Sequence, residues 1–584
     1  MFAACLVFSV IIGCKKDGSS VSPLMGKDDA AFAVYENSYL EGLWKLDPDR
    51  ATTTGYHKYD SLLLVPDDKF RDKLVTYAKV QLDSLSRFEI TQLAEANRMD
   101  YKMMQNEAER IEWNYQQLKA YQWDPSSYNV IGTFAYILNE HYEALDKRLR
   151  HFYQKMANIP AYYKAAEKQL RNPVEELTGL AIEQHLGGVG IFEKDFADSL
   201  KKTKIPEAEQ KQMIERARAS AEAIKSYATW LKTLKNDKPR SFRLGKELYD
   251  AKFKYEIQSD YSAQQIFNAA TERKKHLHRE MAKISKKLWP KYFGTKAMPK
   301  DSLDLIAQVI DTLSAKHVAP NEFQPAIEKQ IPKLTAFVKS KDLVTLDPTK
   351  PLVVRREPGY MAGVAGASMS SPGAYDKGGN SYFNVGSLSG WPAERAESYL
   401  REYNNYTLQI LCIHEAIPGH YVQLVYANKA PSLIKSVLAN GAMIEGWAVY
   451  SEEMMLDAGF GGDEPEMRLM WYKWHLRSVC NTILDYDVHT QNMQKADALK
   501  LLTHEAFQQR AEAEGKWKRV SVSSVQLDSY YAGYKEISDL RELYKKKLAD
   551  KFKLKEFNEK FLSYGSAPVK LIKEVMMASK ADGK

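Results

Sequence analysis

His414-Glu415-Ala416-Ile417-Pro418-Gly419-His420 is the most informative segment of this chain. A His-Glu pair followed by a second His is typical of zinc sites, where the imidazoles bind the metal and the Glu activates a water molecule. The second His usually follows the first by about four residues, whereas His420 follows His414 by six. Over six residues a regular helix turns by about 600°, so the two imidazoles would face different sides. The segment therefore predicts either a zinc site on a distorted helix or a helix end with two unconnected histidines.

Pro418 and Gly419 favour the distorted helix. Proline has no N–H group and clashes with a helical turn, and glycine tolerates almost any backbone conformation. We therefore expect a break between Ala416 and Gly419 that brings His420 back towards His414. In that arrangement both imidazoles bind one zinc ion, and Glu415 is the general base.

Glu445 is the candidate for the third zinc ligand. It follows His420 by 25 residues, in a helix-like segment after a turn-like one, so an antiparallel helix can return it to the metal. Its neighbours are mainly apolar, and a carboxylate in such surroundings requires a metal or a cation. The alternative is a solvated acid on an amphipathic helix. Glu452, two helical turns further on, either orients a ligating histidine or is a surface acid.

Two segments together resemble a known bacterial family, domain of unknown function 885. They are His414 to His420 and Glu445-Gly446-Trp447-Ala448-Val449-Tyr450. The family is usually grouped with the zincin-type metallopeptidases. The resemblance implies a mainly α fold with a large helical body, a small β-sheet beside the metal-binding helix, and a deep central cleft.

The resemblance covers nearly the whole chain. An opening motif comprises Pro48-Asp49-Arg50-Ala51-Thr52, Gly55 and Tyr59-Asp60, and a closing motif comprises Gln526-Leu527-Asp528-Ser529-Tyr530-Tyr531-Ala532-Gly533 and Leu540-Arg541. The chain departs from the family at Tyr421, where a His is common, and at Asn481, where an Arg is frequent. Neither position is a predicted ligand, so the departures bear on substrate preference and not on the metal.

Arg477, Asp485 and His489 are spaced by eight and four residues and form one stripe of a helix. We interpret the stripe as a polar lining, with Arg477 in contact with substrate and Asp485 supporting the site. His489 matches an Asp-x-x-x-His helix of the family, which implies hydrogen bonding to a developing oxyanion. The alternative is a capped or solvated histidine. Tyr530 stands where the family has a Tyr before its Gly, and shares the implied oxyanion role; Tyr531 and Tyr534 are competitors for it.

The most strand-like region lies between residues 343 and 386. Residues 343–354 and 381–386 are typical of strands, and the Gly-rich stretch 359–379 is predicted to be a loop, either a lid or the disordered tip of a hairpin. In zincins a small sheet precedes the metal helix, and its edge strand pairs with the extended substrate. Tyr382 and Asn384 are the predicted substrate contacts of this region.

The N-terminus predicts export. Residues 2–13 are apolar or small, which suits the core of a signal peptide and is too short to span a membrane. Ile11-Ile12-Gly13-Cys14 resembles a bacterial lipobox, in which Cys14 is lipidated after cleavage. We therefore expect a signal peptide at 1–14, a polar tether at 15–28, and an outer-membrane lipoprotein that faces the periplasm or the cell surface. The alternative is a buried first helix.

The remaining composition predicts a large helical protein that does not bind nucleic acid. With 44% apolar residues, the 584-residue chain can fill a large core, and residues 29–341 form an N-terminal helical region before a catalytic region at 342–584. The net charge of +8 comes from 83 basic and 75 acidic residues that are mixed along the chain, without a basic stripe. Cys412 and Cys480 are expected to be buried free thiols.

These features predict a zinc-dependent peptidase that holds one zinc ion, acts on a peptide or small amide substrate, and is attached to the membrane by an N-terminal lipid. Two alternatives stay open. One is a zinc amidase that cleaves non-peptide amides, and the other is a metal-free helical lipoprotein that binds nutrients. Because only the last predicts no bound zinc, the metal content of the purified protein separates it from the enzymes.

Overall fold

The computed structural model describes most of the chain, namely residues 26–357, 367–376, 378–462 and 464–578. The predicted signal peptide, with Cys14, and most of the predicted tether lie outside the described residues. Across the described part the fold is mainly helical with one small sheet, as predicted. None of the helices within these ranges combines the length and the apolar character needed to span a bilayer.

Helices account for most of the described residues. In the first part of the chain they are α1 (Asp29–Leu46), α2 (Pro48–Thr53), α3 (Asp68–Leu85), α4 (Glu95–Trp113), α5 (Ile131–Asn139), α6 (Leu145–Met156), α7 (Ile159–Gln169), α8 (Glu175–Gly188), α9 (Phe196–Leu200), α10 (Glu207–Thr233), α11 (Lys246–Glu256), α12 (Ala263–Phe293), α13 (Ser302–Ser314) and α14 (Phe323–Ser340). After the sheet they are α15 (Ala393–Glu402), α16 (Thr407–Glu415), α17 (His420–Ala427), α18 (Leu433–Val437), α19 (Gly441–Asp457), α20 (Pro465–Thr490), α21 (Lys495–Lys500), α22 (Arg510–Val522), α23 (Asp528–Leu548), α24 (Leu554–Ser563) and α25 (Val569–Ala578).

Local sequence explains where the central helices begin. Ser262 and Gln265 form a reciprocal capping box at the start of α12, which satisfies N–H groups that have no partner within the helix. Asn440 caps α19 through a hydrogen bond from the N–H of Met443. Both α19 and α20 are buried on most sides. A helix with such a pattern belongs in the centre of a protein, and these two helices carry five of the predicted site residues, Glu445, Glu452, Arg477, Asp485 and His489.

The sheet has three strands in the order β1-β3-β2: β1 (Leu352–Arg356), β2 (Ala367–Ser370) and β3 (Ser381–Val385). β1 is parallel to β3, with Leu352 opposite Ser381, and β2 is antiparallel, with Ala367 opposite Val385. β2 packs against α16, which ends at Glu415. The sheet therefore lies beside the helix that carries His414, and the strand next to that helix is an edge strand.

The strand prediction needs two corrections. The first strand begins only at Leu352, because Pro348 and Pro351 interrupt the preceding run and proline cannot donate to a strand ladder. The second is β2, which lies within the Gly-rich stretch that was predicted to be a loop. Its residues have low strand propensity, but tertiary pairing overrides propensity: the Asn384 amide donates to Ser370 Oγ at 2.7 Å across the β2–β3 pair.

The described residues form two hydrophobic cores. One involves residues of α5 to α10, between Tyr128 and Leu231, and the other joins residues 32–111 with residues 249–576. Helices on both sides of the predicted boundary at residue 341 share the larger core, since Val338 of α14 and Leu400 of α15 both belong to it. Cys412 and Cys480 are buried free thiols in this core, as predicted.

The opening motif holds the segment between β2 and β3. Gly55 has a φ of +87°, and a Cβ there would lie 2.7 Å from the Asp376 carboxyl. The N–H of Tyr375 donates to the Thr54 carbonyl at 3.1 Å, and His57 Nε2 lies 3.8 Å from Asp376 Oδ1. A side chain at position 55 would prevent this approach, so the glycine of the motif allows the N-terminal part of the chain to dock against the sheet.

Candidate metal centre

The chain breaks its helix between the two histidines. α16 ends at Glu415, the backbone leaves helical geometry at Ala416 (φ −114°, ψ −87°) and Gly419 (φ −71°, ψ −130°), and α17 begins at His420. A Cβ on Gly419 would lie 1.9 Å from the carbonyl oxygen of His414, so only glycine fits this turn. Trp447 Nε1 donates to the Pro418 carbonyl at 2.9 Å and fixes the turn against α19. The distortion predicted from the six-residue spacing is present.

His414, His420 and Glu445 meet at this turn. The two imidazole rings are nearly perpendicular, at 86°, with centroids 4.8 Å apart. Oε2 of Glu445 lies 3.7 Å from His414 Nε2 and 3.5 Å from His420 Nε2. These distances exceed those of hydrogen bonds, but they are close to the roughly 3–3.5 Å that separates two ligands of one zinc ion.

The residues present fit a zinc ion. Glu445 Oε2 is buried and has no hydrogen-bond partner within the described part of the chain, although burying an unpaired carboxylate oxygen is unfavourable. Two imidazole nitrogens and one carboxylate oxygen form a common donor set of zinc sites that keep an open position. Glu445 retains 22% exposure of its side chain, so the cluster is open to solvent on that side.

Glu415 is a rival of Glu445 for the third ligand position. Single donor atoms of His414, Glu415 and His420 all lie within 4.8 Å of one another. The contacts of Glu445 with the two imidazoles are shorter, at 3.7 and 3.5 Å. Glu445 is therefore better placed than Glu415 to share a cation with the two imidazoles, and Glu415 is partly exposed.

Glu452 forms a hydrogen bond with the ring nitrogen of His414 that faces away from Glu445. Its Oε1 accepts hydrogen bonds from His414 Nδ1 at 2.7 Å and from Trp474 Nε1 at 2.9 Å, and the side chain is fully buried. With Nδ1 as the donor to Glu452, Nε2 of the same ring faces Glu445 and is the nitrogen available to a metal. The helix spacing pointed to Glu452, but nothing in the sequence identified Trp474 as its second donor.

The charges in the cluster are complementary. Burial lowers the pKa of His414, but Glu445 and Glu452 outweigh this and raise it to about 10. Burial raises the pKa of the Glu445 carboxyl, yet the two imidazoles bring it below its usual range. Burial raises the pKa of Glu415, while both imidazoles oppose the rise. A carboxylate with a raised pKa is a better acceptor for a proton from water.

Two glycines allow the helix with Tyr530 to approach the cluster. A Cβ on Gly533 in α23 would lie 1.8 Å from the Ala442 carbonyl oxygen, and one on Gly446 in α19 would lie 2.3 Å from the Gly533 backbone. The two helices therefore touch through their backbones. Glu445 directly precedes Gly446, and Tyr530 lies one turn before Gly533. The close approach of α19 and α23 therefore brings Glu445 and Tyr530 near each other.

Contacts distinguish the three candidate tyrosines. The pKa of Tyr530 is raised by burial and, to a smaller extent, by the Glu445 carboxylate. The Tyr530 hydroxyl accepts a hydrogen bond from Arg519 at 3.2 Å. The hydroxyl of Tyr531 donates to the Ala269 carbonyl, and that of Tyr534 donates to Glu453. Of the three, Tyr530 is the one associated with the metal cluster. Arg519, its partner, was not identified from the sequence.

Asp485 and His489 fix the segment before α23. Asp485 accepts hydrogen bonds from the N–H groups of Val525 and Leu527 at 3.0 and 3.1 Å. His489 Nε2 lies 3.0 Å from the carbonyl oxygens of Val520 and Ser523, and burial lowers the pKa of the ring. A neutral ring whose proton is on Nε2 has no second proton to donate. These contacts give both residues a positioning role, and the oxyanion role of His489 stays a prediction that they do not support.

The residues predicted to contact substrate are bound to other side chains of the protein. Arg477 forms an ion pair with Glu512 at 2.5 Å and packs over Trp474. Asn384 is fully buried and accepts a hydrogen bond from Arg355 at 2.7 Å, while the Arg355 guanidinium stacks on Tyr382 at 3.8 Å. Because β3 is the central strand, its main-chain groups pair with β1 and β2 and not with a substrate. A substrate contact through the β3 backbone is therefore excluded.

Comparison with known proteins gives a family but no activity. A family model described as "Bacterial protein of unknown function (DUF885)" matches residues 48–576. A solved structure described as a "putative lipoprotein of unknown function" from Shewanella oneidensis is 49% identical, with a TM-score of 0.85, and the match covers 94% of this chain and 99% of that one. A "putative lipoprotein" from Colwellia psychrerythraea shares the fold, at 16% identity and a TM-score of 0.74, over 94% of this chain and 98% of that one. No curated protein matches.

Proposed function

The chain belongs to the bacterial family of unknown function DUF885, and we propose that it is a zinc-dependent peptidase that hydrolyses peptide or related amide bonds. One observation carries the proposal: Glu445 Oε2, buried without a hydrogen-bond partner, lies 3.5 and 3.7 Å from two imidazole nitrogens. A cation between these groups would satisfy all three. His414, His420 and Glu445 would hold one zinc ion.

Glu415 is the residue that moves the proton. Zinc, when bound, supplies a Lewis acid that polarises a carbonyl and lowers the pKa of water. Glu415 lies within 4.8 Å of both histidines and is partly exposed, so it can accept a proton from the attacking water. It then donates that proton to the leaving amine, as a general base that becomes a general acid.

Tyr530 and Arg519 are the proposed oxyanion stabilisers. Arg519 donates to the Tyr530 hydroxyl at 3.2 Å, which leaves the hydroxyl proton free for a substrate oxygen. The guanidinium of Arg519 also stabilises negative charge that develops on the substrate oxygen. In this proposal Tyr530 contacts the reacting carbonyl and Arg519 positions and polarises the tyrosine.

The architecture is proposed to be a variant of the zincin arrangement. The histidines lie on α16 and α17 instead of on one continuous helix, and β2 is an edge strand that packs against α16. An extended peptide that pairs with the free edge of β2 would run beside the metal cluster. We propose that the open side at Glu445 faces a central cleft through which this peptide enters.

We also propose that the protein is exported as a lipoprotein. The segment Ile11-Ile12-Gly13-Cys14 resembles a lipobox. The structures from Shewanella oneidensis and Colwellia psychrerythraea are each described as a "putative lipoprotein". Lipidation at Cys14 would attach the enzyme to the outer membrane, on the periplasmic side or at the cell surface. Mass spectrometry of the membrane-extracted protein should find a diacylated N-terminal Cys14.

Metal analysis and a hydrolysis assay test the proposal together. The purified full chain should hold about one zinc ion, and His414→Ala and His420→Ala should each lose it. Zinc-loaded protein should hydrolyse members of a mixed peptide pool, followed by mass spectrometry, and a chelator should stop the reaction. The proposal would be contradicted if the protein is purified without zinc and then binds added zinc no more tightly than the His420→Ala variant. That result would favour a metal-free binding protein. If the protein binds zinc but cleaves only non-peptide amides, the proposed function would be narrowed to that of an amidase.

A further inference from the structure

Lys516 is a buried lysine that has no counter-ion among the described residues. The residue is 4% exposed and lies in α22. Among the described residues, no carboxylate oxygen lies within 4.0 Å of its ammonium group and no acceptor forms a hydrogen bond with it. Charged groups are rarely buried unless they are paired, because the loss of hydration is unfavourable. The ammonium nitrogen itself still reaches solvent, so an acid from outside the chain can approach it.

The neighbours of Lys516 form a cationic cluster, which we define as Lys473, Arg477, Lys516 and Arg519. Glu402 and Glu512 are the two carboxylates among them that influence Lys516. Both are already bound, since Glu402 pairs with Lys473 at 2.9 Å and Glu512 pairs with Arg477 at 2.5 Å. The four basic side chains therefore outnumber the two carboxylates by two, and Lys516 is the member without a bond to any described residue.

Two chains of contacts connect the cationic cluster with the candidate metal centre. Arg477 packs over the ring of Trp474, whose Nε1 donates to Glu452, the residue that holds His414. Arg519 donates to the hydroxyl of Tyr530, which senses the charge of Glu445. Lys516 lies between them, four residues after Glu512 and three before Arg519 on the same face of α22. A substrate bound at the metal thus has this excess of positive charge beside it.

We propose that Lys516, with Arg477 and Arg519 beside it, binds a carboxylate of the substrate, so that the enzyme acts on peptides or acyl amino acids that carry a free carboxylate near the bond to be cleaved. The inference rests on the proposed peptidase function and names its substrate class. Lysine and arginine are the side chains that recognise carboxylates through charge-assisted hydrogen bonds. Burial and the neighbouring Arg477 lower the pKa of Lys516, and a bound carboxylate would reverse this effect.

Binding tests the subsite without requiring turnover. Zinc-loaded Glu415→Gln protein is titrated by calorimetry with N-acetylated tri- to hexapeptides, each as the free acid and as the C-terminal amide. The acids should bind about 10- to 100-fold more tightly than the amides, the size of a buried charge-assisted hydrogen bond. Adding Lys516→Met should remove the difference, and Lys516→Arg should retain most of it. Equal affinities for acids and amides in the Glu415→Gln protein, together with equal affinities for amidated peptides that contain Glu or Gln, would overturn the inference.

The source of the carboxylate is resolved by a second set of peptide pairs. Amidated peptides that contain Glu are compared with the same peptides containing Gln. A preference for the Glu peptides, together with no preference for a free C-terminus, would assign the subsite to an acidic side chain. A preference for the free C-terminus alone would make the enzyme one that works from the carboxyl end of its substrates.

Hydrolysis separates this inference from the function on which it rests. In the active enzyme, Lys516→Met should raise the KM of acid peptides by about 10-fold or more, with little change in kcat or in the constants for amides. If the wild-type enzyme cleaves acids and amides with equal kcat/KM, and also the Glu and Gln peptides with equal kcat/KM, the subsite is wrong and the peptidase stands. If nothing is cleaved while acids still bind more tightly, the subsite stands and the peptidase is wrong.

Stability distinguishes a binding role from a structural one. Because Lys516 has no partner in the described structure, Lys516→Met should leave the melting temperature unchanged or raise it. Lys435→Met is the matched control, since Lys435 is 2% exposed and bound to Asp100 at 2.8 Å. That variant should melt at a lower temperature and should not change the preference for acids. A Lys516→Met protein that melts as low as Lys435→Met would indicate a structural lysine and contradict the inference.

Discussion

Glu452 accepts one hydrogen bond from His414 Nδ1 at 2.7 Å and a second from Trp474 Nε1 at 2.9 Å, in a position closed to solvent. This relationship fixes the protonation of the imidazole, because a carboxylate between two donors leaves Nδ1 as the nitrogen that carries the proton. His414 Nε2, on the side of Glu445, is then the nitrogen that can exchange its proton for a metal. The ring is thus prepared for a metal before any metal binds.

Replacing Glu452 should weaken zinc binding although Glu452 is not a ligand. In Glu452→Gln the side chain still accepts a hydrogen bond, but it no longer carries the charge that strengthens the basicity of the imidazole. We expect zinc affinity to fall by about 10- to 100-fold, measured by competition with a chelator. Glu453→Gln is the control, since Glu453 bonds to Arg273 and Tyr534 instead of a histidine. Equal zinc affinity in the two variants would contradict this role of Glu452.

Replacing Glu415 separates proton transfer from metal binding. Glu415→Gln keeps the size of the side chain but removes the base, so zinc should stay bound while hydrolysis falls by about 10²- to 10⁴-fold. Glu445→Gln should instead lose zinc. Zinc content by elemental analysis and initial rates on the same samples decide between them. If Glu415→Gln released the metal and Glu445→Gln kept it, the two acidic residues would have to exchange roles.

Tyr530 can be tested against its neighbour in α23. Tyr530→Phe removes a hydroxyl that is bound to Arg519, near Glu445, and should lower kcat by about 10- to 1000-fold while zinc content stays the same. Tyr531→Phe removes a hydroxyl that donates to the Ala269 carbonyl, and should affect stability alone. Steady-state kinetics of both variants at equal zinc loading provide the measurement. A Tyr531→Phe variant with the larger loss of kcat would reassign the oxyanion role.

The sequence was sufficient for those features that depend on local patterns. The helical class followed from apolar spacing, and the break between His414 and His420 followed from Pro418 and Gly419. Glu452 could be identified because two helical turns return a side chain to the same face. Each of these inferences uses residues that are near one another in the chain.

Features that depend on packing between distant segments were missed or misjudged. β2 forms because Ser370 meets Asn384 on another strand, and the order of the strands decides that β3 is central. Trp474 lies 22 residues after Glu452, and no local pattern relates an indole to a carboxylate over that distance. Lys516 is unusual only because its surroundings bury it without a partner, which is visible in three dimensions alone.

The opening motif should make stability depend on pH. Burial lowers the pKa of His57, but Asp376 and Asp60 outweigh this and raise it to about 9, above the usual 6.5. The stabilising effect of the charged ring is therefore complete below about pH 6.5 and is lost as the pH rises through about 9. His57→Gln should lower stability by about 1–3 kcal/mol at pH 6 and by little at pH 10. Thermal melting across this range tests it, with the exposed His276→Gln as control; a constant difference between His57→Gln and wild type would contradict it.

Gly419 should be required for zinc binding although it provides no ligand. A Cβ at this position would lie 1.9 Å from the His414 carbonyl oxygen and 2.4 Å from that of Ile413, and both are backbone atoms that cannot rotate away. Gly419→Ala must therefore open the turn, which separates His420 from His414, and zinc affinity should fall by at least about 10-fold because one ligand is displaced. Pro418→Ala/Gly419→Ala should weaken zinc further, because it favours a regular helix across the break. Gly441→Ala is the matched control, since its Cβ would meet only Ser529 Oγ, at 3.8 Å, and should bind zinc like the parent. If Gly419→Ala bound zinc as tightly as Gly441→Ala, the tight turn would not be what brings the two imidazoles together.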